Sequence, residues 1–380
     1  MSAAIREFNI EIPQSDLDDL KQRLATARFP EKESVDDWSQ GLPLARLKQL
    51  AEYWQHEYDW RRCEAQINQY PQFVTELDGL DIHFLHIRSP EPAARPLLIT
   101  HGWPGSFIEF LDVIDELSNP VAHGGAPEDA YHLVIPSLPG YGFSGKPTEP
   151  GWSVERIAKN WDALMLRLGY SRYFAQGGDW GSMVTALIGS QNLGHCAGIH
   201  LNLVVVGGPS KEILTSPTPE EQTSLKRFKH YARVGQGYAA IQGTRPQTIG
   251  YALADSAVGQ LAWIAEKFGE WSGEKDFIDQ FDIDRLLDNI SLYWFTNTAA
   301  SSARLYWHSF VAPAVEQVTI PTACSLFPYE MVQPSRRWAE QRYCDIRYWN
   351  EASEGGHFAA MECPKVFIDE VCSGLRTMTL

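Results

Sequence analysis

The chain contains no CxxC pair: its six cysteines, Cys63, Cys196, Cys324, Cys344, Cys363 and Cys372, are scattered over 380 residues. That scatter gives neither the ligand spacing of a zinc site nor the density of a disulfide framework, and a reducing compartment is the expectation. No run of Lys and Arg occurs anywhere, and 48 acidic residues outnumber 32 basic ones. The net charge of -16 repels phosphate backbones and anionic membrane surfaces, which argues against nucleic acid as a partner. No apolar stretch reaches the ~20 residues of a spanning helix. The N-terminus Met1-Ser2-Ala3-Ala4-Ile5-Arg6-Glu7-Phe8 lacks the basic and apolar segments of a secretory signal. A cytoplasmic protein without a membrane anchor is expected.

What is present is the material of a folded core. Apolar residues make up 44% of the chain and charged ones 21%, well away from disordered or low-complexity compositions. Aromatics at 12% hint at pockets lined by large flat side chains. At roughly 150 residues per domain, the length suits two or three domains, or one large core with an insertion.

Residues 1–70 read as amphipathic helices. Ser15 with Asp18 resembles a capping-box start, Leu17, Leu20 and Leu24 fall on one face, and Pro30 is the expected stop. A second helical stretch covers residues 44–58. From Tyr70-Pro71 the period changes to two, and residues 73–77 and 82–85 read as a hairpin turning at Asp78-Gly79. Short apolar runs at 97–99, 133–135 and 173–175 then alternate with helical segments, which argues an α/β fold with a mostly parallel sheet. Between about 207 and 313 the strands stop and helical patterns take over, at 261–268 and 277–287 among others. Strand character returns at 318–327 and 345–349, and residues 365–375 have the spacing of a closing helix. The expected organisation is an N-terminal helical meander (1–70), a core in two parts (71–206 and 314–380), and a helical insertion (207–313).

Gly140-Tyr141-Gly142-Phe143-Ser144-Gly145 matches a dinucleotide-binding fingerprint, and Gly140 to Lys146 starts like a P-loop. Context rejects both, because Pro139 precedes the glycines and Pro147 follows Lys146 where a helix should open. Gln176-Gly177-Gly178-Asp179-Trp180-Gly181-Ser182, between an expected strand and an expected helix, has the outline of a nucleophile elbow with Asp in the nucleophile's place. Alone it could be an ordinary Asx turn. A carboxylate in that slot suits displacement at a saturated carbon, forming an alkyl ester on the protein. His101-Gly102-Trp103-Pro104-Gly105-Ser106 follows a strand where such a hydrolase places an oxyanion loop, so the amides of Trp103 and Trp180 are the expected donors. Gly355-Gly356-His357 lies after the last expected strand and carries the final His of the chain. Chain order then calls for an acid between nucleophile and His, and Glu330 is the only carboxylate between Phe327 and Ala339. Its expected role is to orient His357.

Together the Asp179 elbow, the His101–Ser106 loop and the Gly355-Gly356-His357 loop resemble the epoxide hydrolases of the α/β-hydrolase superfamily, in the branch similar to the microsomal enzyme. The likeness runs over almost the whole chain, and Gly140-Tyr141-Gly142-Phe143-Ser144 is also a family hallmark. It implies an α/β-hydrolase core with a helical lid, a meander that packs on that lid, an epoxide substrate, no cofactor and no metal. It further implies two lid tyrosines as acids in ring opening, and the matching positions are Tyr238 and Tyr306. Relatives anchored in the endoplasmic reticulum begin with a membrane helix that this sequence lacks, which implies a soluble member. A homodimer is implied by the resemblance only. A haloalkane dehalogenase shares the Asp elbow and the His but needs no lid tyrosines, and a non-catalytic binding relative is the other alternative.

Overall fold

The structure is a computed structural model and describes residues 4–273, 281–309 and 316–380. Nine strands among them form one sheet: β1 (Ile5–Phe8), β2 (Gln72–Leu77), β3 (Leu80–Ile87), β4 (Arg95–Thr100), β5 (Tyr131–Pro136), β6 (Tyr173–Gly177), β7 (Cys196–Leu201), β8 (Thr322–Leu326) and β9 (Ile346–Glu351). Their order is β1-β2-β3-β5-β4-β6-β7-β8-β9. β1 to β3 run antiparallel to their neighbours, and every pairing from β5 to β9 is parallel. The parallel strands at the centre are buried along nearly their whole length, which is why β4, β5 and β6 read as short apolar runs at 97–99, 133–135 and 173–175. The β2–β3 hairpin turns on Asp78 and Gly79, with φ of 51° and 83°, the mirror-image turn that Asp-Gly favours.

Several local expectations shift. The first helix spans Gln14–Ala25 and starts directly after Pro13, so Ser15 and Asp18 lie inside it and no side chain caps its start. It ends at Ala25, well before Pro30, where Thr26 bonds back to the Gln22 carbonyl. The second covers Leu44–His56. A further helix, Trp60–Ile67, opens on Asp59, whose side chain accepts from the Arg61 amide. Between β7 and β8 the described residues hold helices and no strand, from Lys211–Thr215 to Ala299–Ser309. Residues 277–280 of the helix expected at 277–287 lie outside the described residues, and the helix found there is Ile283–Phe295.

Two sets of contacts fix these helices over the sheet. Trp54 donates its indole N–H to Ser291 at 2.9 Å, Tyr58 its hydroxyl to Asp288 at 2.8 Å, and Arg62 pairs with Asp288 at 2.7 Å, so the N-terminal helices grip the helix Ile283–Phe295. The rejected phosphate loop supplies the second set. Ser301 Oγ donates to the Gly140 carbonyl at 2.6 Å and Tyr141 to the Ser302 carbonyl at 3.1 Å. Gly140 has φ of +83°, and a Cβ there would stand 3.0 Å from the Ser301 carbonyl oxygen. Gly140 is glycine because the backbone of the helix Ala299–Ser309 lies against it, and that helix carries Tyr306.

Candidate active site

All strands of a parallel sheet end on the same edge, so residues just after them meet there however far apart they are in the chain. Asp179 follows β6, His101 to Ser106 follow its neighbour β4, Glu330 follows β8 and His357 follows β9. Asp179 starts the helix Asp179–Gln191 with φ of 49°, a left-handed conformation that costs a non-glycine residue about 1–3 kcal/mol. The turn is tight enough that a Cβ on Gly177 would lie 2.2 Å from the Gly181 carbonyl oxygen, and one on Gly181 only 1.8 Å from that of Thr100. This is why glycine stands two residues before and two after Asp179.

The two carboxylate oxygens of Asp179 have separate partners. The Trp103 amide donates to Oδ1 at 2.8 Å, and His357 Nε2 lies 3.2 Å from Oδ2. On its other side His357 Nδ1 is 3.0 Å from both oxygens of Glu330, and the Met331 amide donates to Glu330 Oε1 at 2.8 Å. His357 and Glu330 are both buried. Burial alone would lower the basicity of His357, but the Glu330 carboxylate, joined by Asp179, outweighs it and holds the imidazole well above the ordinary histidine value. The Trp180 amide makes no hydrogen bond to the carboxylate of Asp179 among the described residues, and stands one position after it at the start of the helix.

Tyr238, on the helix Gly237–Thr244, and Tyr306 both project into the site although 68 residues separate them. The Tyr238 ring stacks on Trp103 at 4.9 Å between centroids, with the planes 10° apart. Tyr306 meets Trp180 edge-on at 4.7 Å, and the two tyrosine rings lie 5.8 Å apart. Burial drives both phenols well above the ordinary tyrosine value, so they stay protonated donors. With Asp179, Trp180, Met183, Phe228 and Trp338 they line a cavity of about 360 Å³ whose walls are mostly apolar.

Sequence reasoning missed three further groups. Tyr231 lines the same cavity and bonds to Tyr238. Glu109 and Glu362 stand close to His357, and burial pushes them up to about 8 and about 7 respectively. Glu109 lies only three residues beyond the His101–Ser106 loop, and that proximity was the available signal. It lines a second, small cavity of about 10 Å³ beside Asp179 and His357, room for about one water molecule. Among the described residues no cluster of His, Cys, Asp or Glu is arranged to hold a metal ion, and no helix is long and apolar enough to cross a membrane.

An acid on a strained strand-to-helix turn, met by a histidine and a second acid from later strands, defines an α/β-hydrolase, and residues 95–254 match the family model described as alpha/beta hydrolase fold. Residues 5–110 match a second model, epoxide hydrolase N terminus. Epoxide hydrolase 1 of Oryctolagus cuniculus is 35% identical over 97% of this chain and 88% of its own length. A Stigmatella aurantiaca protein, provisionally named an epoxide hydrolase, is 53% identical over 98% of this chain and 85% of its own. The crystal structure of juvenile hormone epoxide hydrolase from the silkworm Bombyx mori superposes with a TM-score of 0.91 at 30% identity, covering 99% of this chain and 95% of that one. The chain belongs to the epoxide hydrolases of the α/β-hydrolase superfamily. That membership sets aside the dehalogenase and the non-catalytic alternatives.

Proposed function

We propose that the chain opens an epoxide in two steps through an alkyl ester on Asp179. The observation that carries this reading is the placement of the Asp179 carboxylate and two protonated phenols on one apolar cavity. In the first step Asp179 attacks a ring carbon, the ring C–O bond breaks with its electron pair passing to oxygen, and a tyrosine gives that oxygen its proton. The product is a hydroxyalkyl ester and a tyrosinate. In the second step His357, oriented by Glu330, takes a proton from water, and the oxygen of that water attacks the ester carbonyl. The amides of Trp103 and Trp180 hold the oxyanion as the acyl C–O bond breaks. The departing oxygen takes the proton held by His357 and the diol leaves, while the remaining proton of the attacking water passes to the tyrosinate, so that Asp179 is again a carboxylate and the tyrosine is reset. The one-water cavity against Asp179 and His357 supports this route for the nucleophile. Helices of the 207–313 segment serve as the lid, and the 1–70 segment braces it. The apolar walls suit a neutral, largely hydrocarbon epoxide.

Single turnover in ¹⁸O-water tests the order of events, since the ester route places the new oxygen on Asp179 and delivers an old Asp179 oxygen to the diol. Label found directly in the first diol formed would contradict it.

The electrostatics of His357 predict a pH dependence. Once Asp179 is esterified, one of the two anions that raise the His357 pKa is gone while burial still lowers it, so the imidazole becomes less basic in the intermediate. It must be neutral to accept a proton. Ester hydrolysis, followed in single turnovers, is therefore expected to rise with pH to a plateau, with a midpoint below the His357 pKa of the free protein. A rate that falls over the same range would contradict the base role.

A further inference from the structure

The two lid tyrosines differ in their surroundings. Tyr306 Oη is buried without a hydrogen-bond partner among the described residues, whereas Tyr238 Oη lies 3.1 Å from the hydroxyl of Tyr231. Tyr231 belongs to the π-helical turn Tyr231–Gly235 that continues the helix Pro219–His230, and such turns concentrate at functional sites. Its ring rests on Gly235, where a Cβ would come within 2.6 Å of Tyr231 Cδ2. The glycine lets the ring lie flat enough to bring its hydroxyl to Tyr238.

We propose that Tyr231 is a positioning residue for the lid acid, donating its hydroxyl proton to Tyr238 Oη so that the single proton of Tyr238 is directed at the epoxide oxygen. The inference rests on the ester mechanism above. A phenol has one proton, so a Tyr238 that donated to Tyr231 would have none for the substrate. With substrate in place the chain therefore runs from Tyr231 to Tyr238 to the ring oxygen, each bond polarising the next. As the ring opens, the ring oxygen takes the Tyr238 proton, the ring carbon takes the Asp179 oxygen, and the negative charge arrives on Tyr238 Oη. The Tyr231 bond then becomes charge-assisted, stronger in the transition state than in the ground state. Tyr306 has no such support, so the two acids are unequal.

The test is the rate constant of ester formation in single turnovers with a small aryl epoxide, for Tyr231→Phe alone and combined with Tyr238→Phe or Tyr306→Phe. The phenyl ring is kept, and the thermal midpoint of each variant is recorded. Tyr231→Phe is expected to slow ester formation about 10- to 100-fold, the range for one bond to a charged oxygen, while leaving ester hydrolysis within twofold. That loss should persist beside Tyr306→Phe and vanish beside Tyr238→Phe. An equal loss in both backgrounds, an equal slowing of both steps, or no loss would each overturn the proposal. Were Tyr238→Phe itself without effect, the acid role of Tyr238 would fall. A silent Tyr231→Phe beside an impaired Tyr238→Phe removes only the present inference.

Discussion

Asp179→Asn is expected to lower epoxide turnover by at least ~10⁴-fold, comparable with the loss of a nucleophile elsewhere in hydrolases. The carboxamide has the shape of the carboxylate but no anionic oxygen to displace a carbon–oxygen bond. It also turns a hydrogen-bond acceptor into a group that is half donor, in a position where the Trp103 amide donates to one oxygen and His357 stands against the other. The strained backbone at φ of 49° tolerates Asn as readily as Asp, so the fold should survive and the loss should be chemical. Steady-state turnover with the thermal midpoint as control decides it. A loss below tenfold would mean that Asp179 only polarises a water molecule, and the ester would have to be abandoned.

The second large effect concerns the lid. A single general acid contributes ~10²–10⁴-fold. Tyr238→Phe or Tyr306→Phe should each slow ester formation, with the partner phenol still serving the ring oxygen, and the double variant should lose more than either single one, by at least ~10⁴-fold. The reason lies in the substrate: a neutral epoxide expels an unprotonated alkoxide, a poor leaving group, and the two phenols are the acids that line the cavity beside Asp179. Hydrolysis of a preformed ester should stay within a fewfold of wild type, because the phenols act on the ring oxygen and the second step occurs at the Asp179 carbonyl. Single-turnover rates for both steps check this. An equal fall in both would indicate that the tyrosines shape the cavity and nothing more.

The parts of the site that the sequence announces are those built by local backbone demands. Gly177, Gly181 and Gly140 are forced by close backbone approach, so the Asp179 elbow and the Gly140 loop stand out as motifs in the amino-acid sequence itself. Glu330 and His357 follow from chain order, and the folded chain brings them within hydrogen-bond reach of each other. Tyr238 and Tyr306 are different. Their helical context reads as ordinary amphipathic packing, and only family resemblance picks them out; Tyr231 escapes both routes because its role depends on a π-helical turn with no sequence pattern of its own. β1 is a short, exposed edge strand with charged residues in it, too brief for period two to register. β7 is buried on both faces and interrupted by His200, whose Nε2 lies 3.0 Å from Ser325 Oγ, so neither alternation nor an unbroken apolar run marks it. The helix Trp60–Ile67 did have a signal, Asp59 as its cap with Trp60, Cys63 and Ile67 buried on one face.

The most direct test of the covalent intermediate is the intact mass of His357→Gln after mixing with a panel of aryl and alkyl epoxides. Glutamine keeps a polar side chain near Asp179 and Glu330 but cannot take a proton from water, so the ester should form and persist. The protein is expected to gain the mass of one epoxide, and the His357→Gln, Asp179→Asn double variant to gain nothing. An unlabelled His357→Gln protein that still converts the same epoxide to diol would contradict the mechanism.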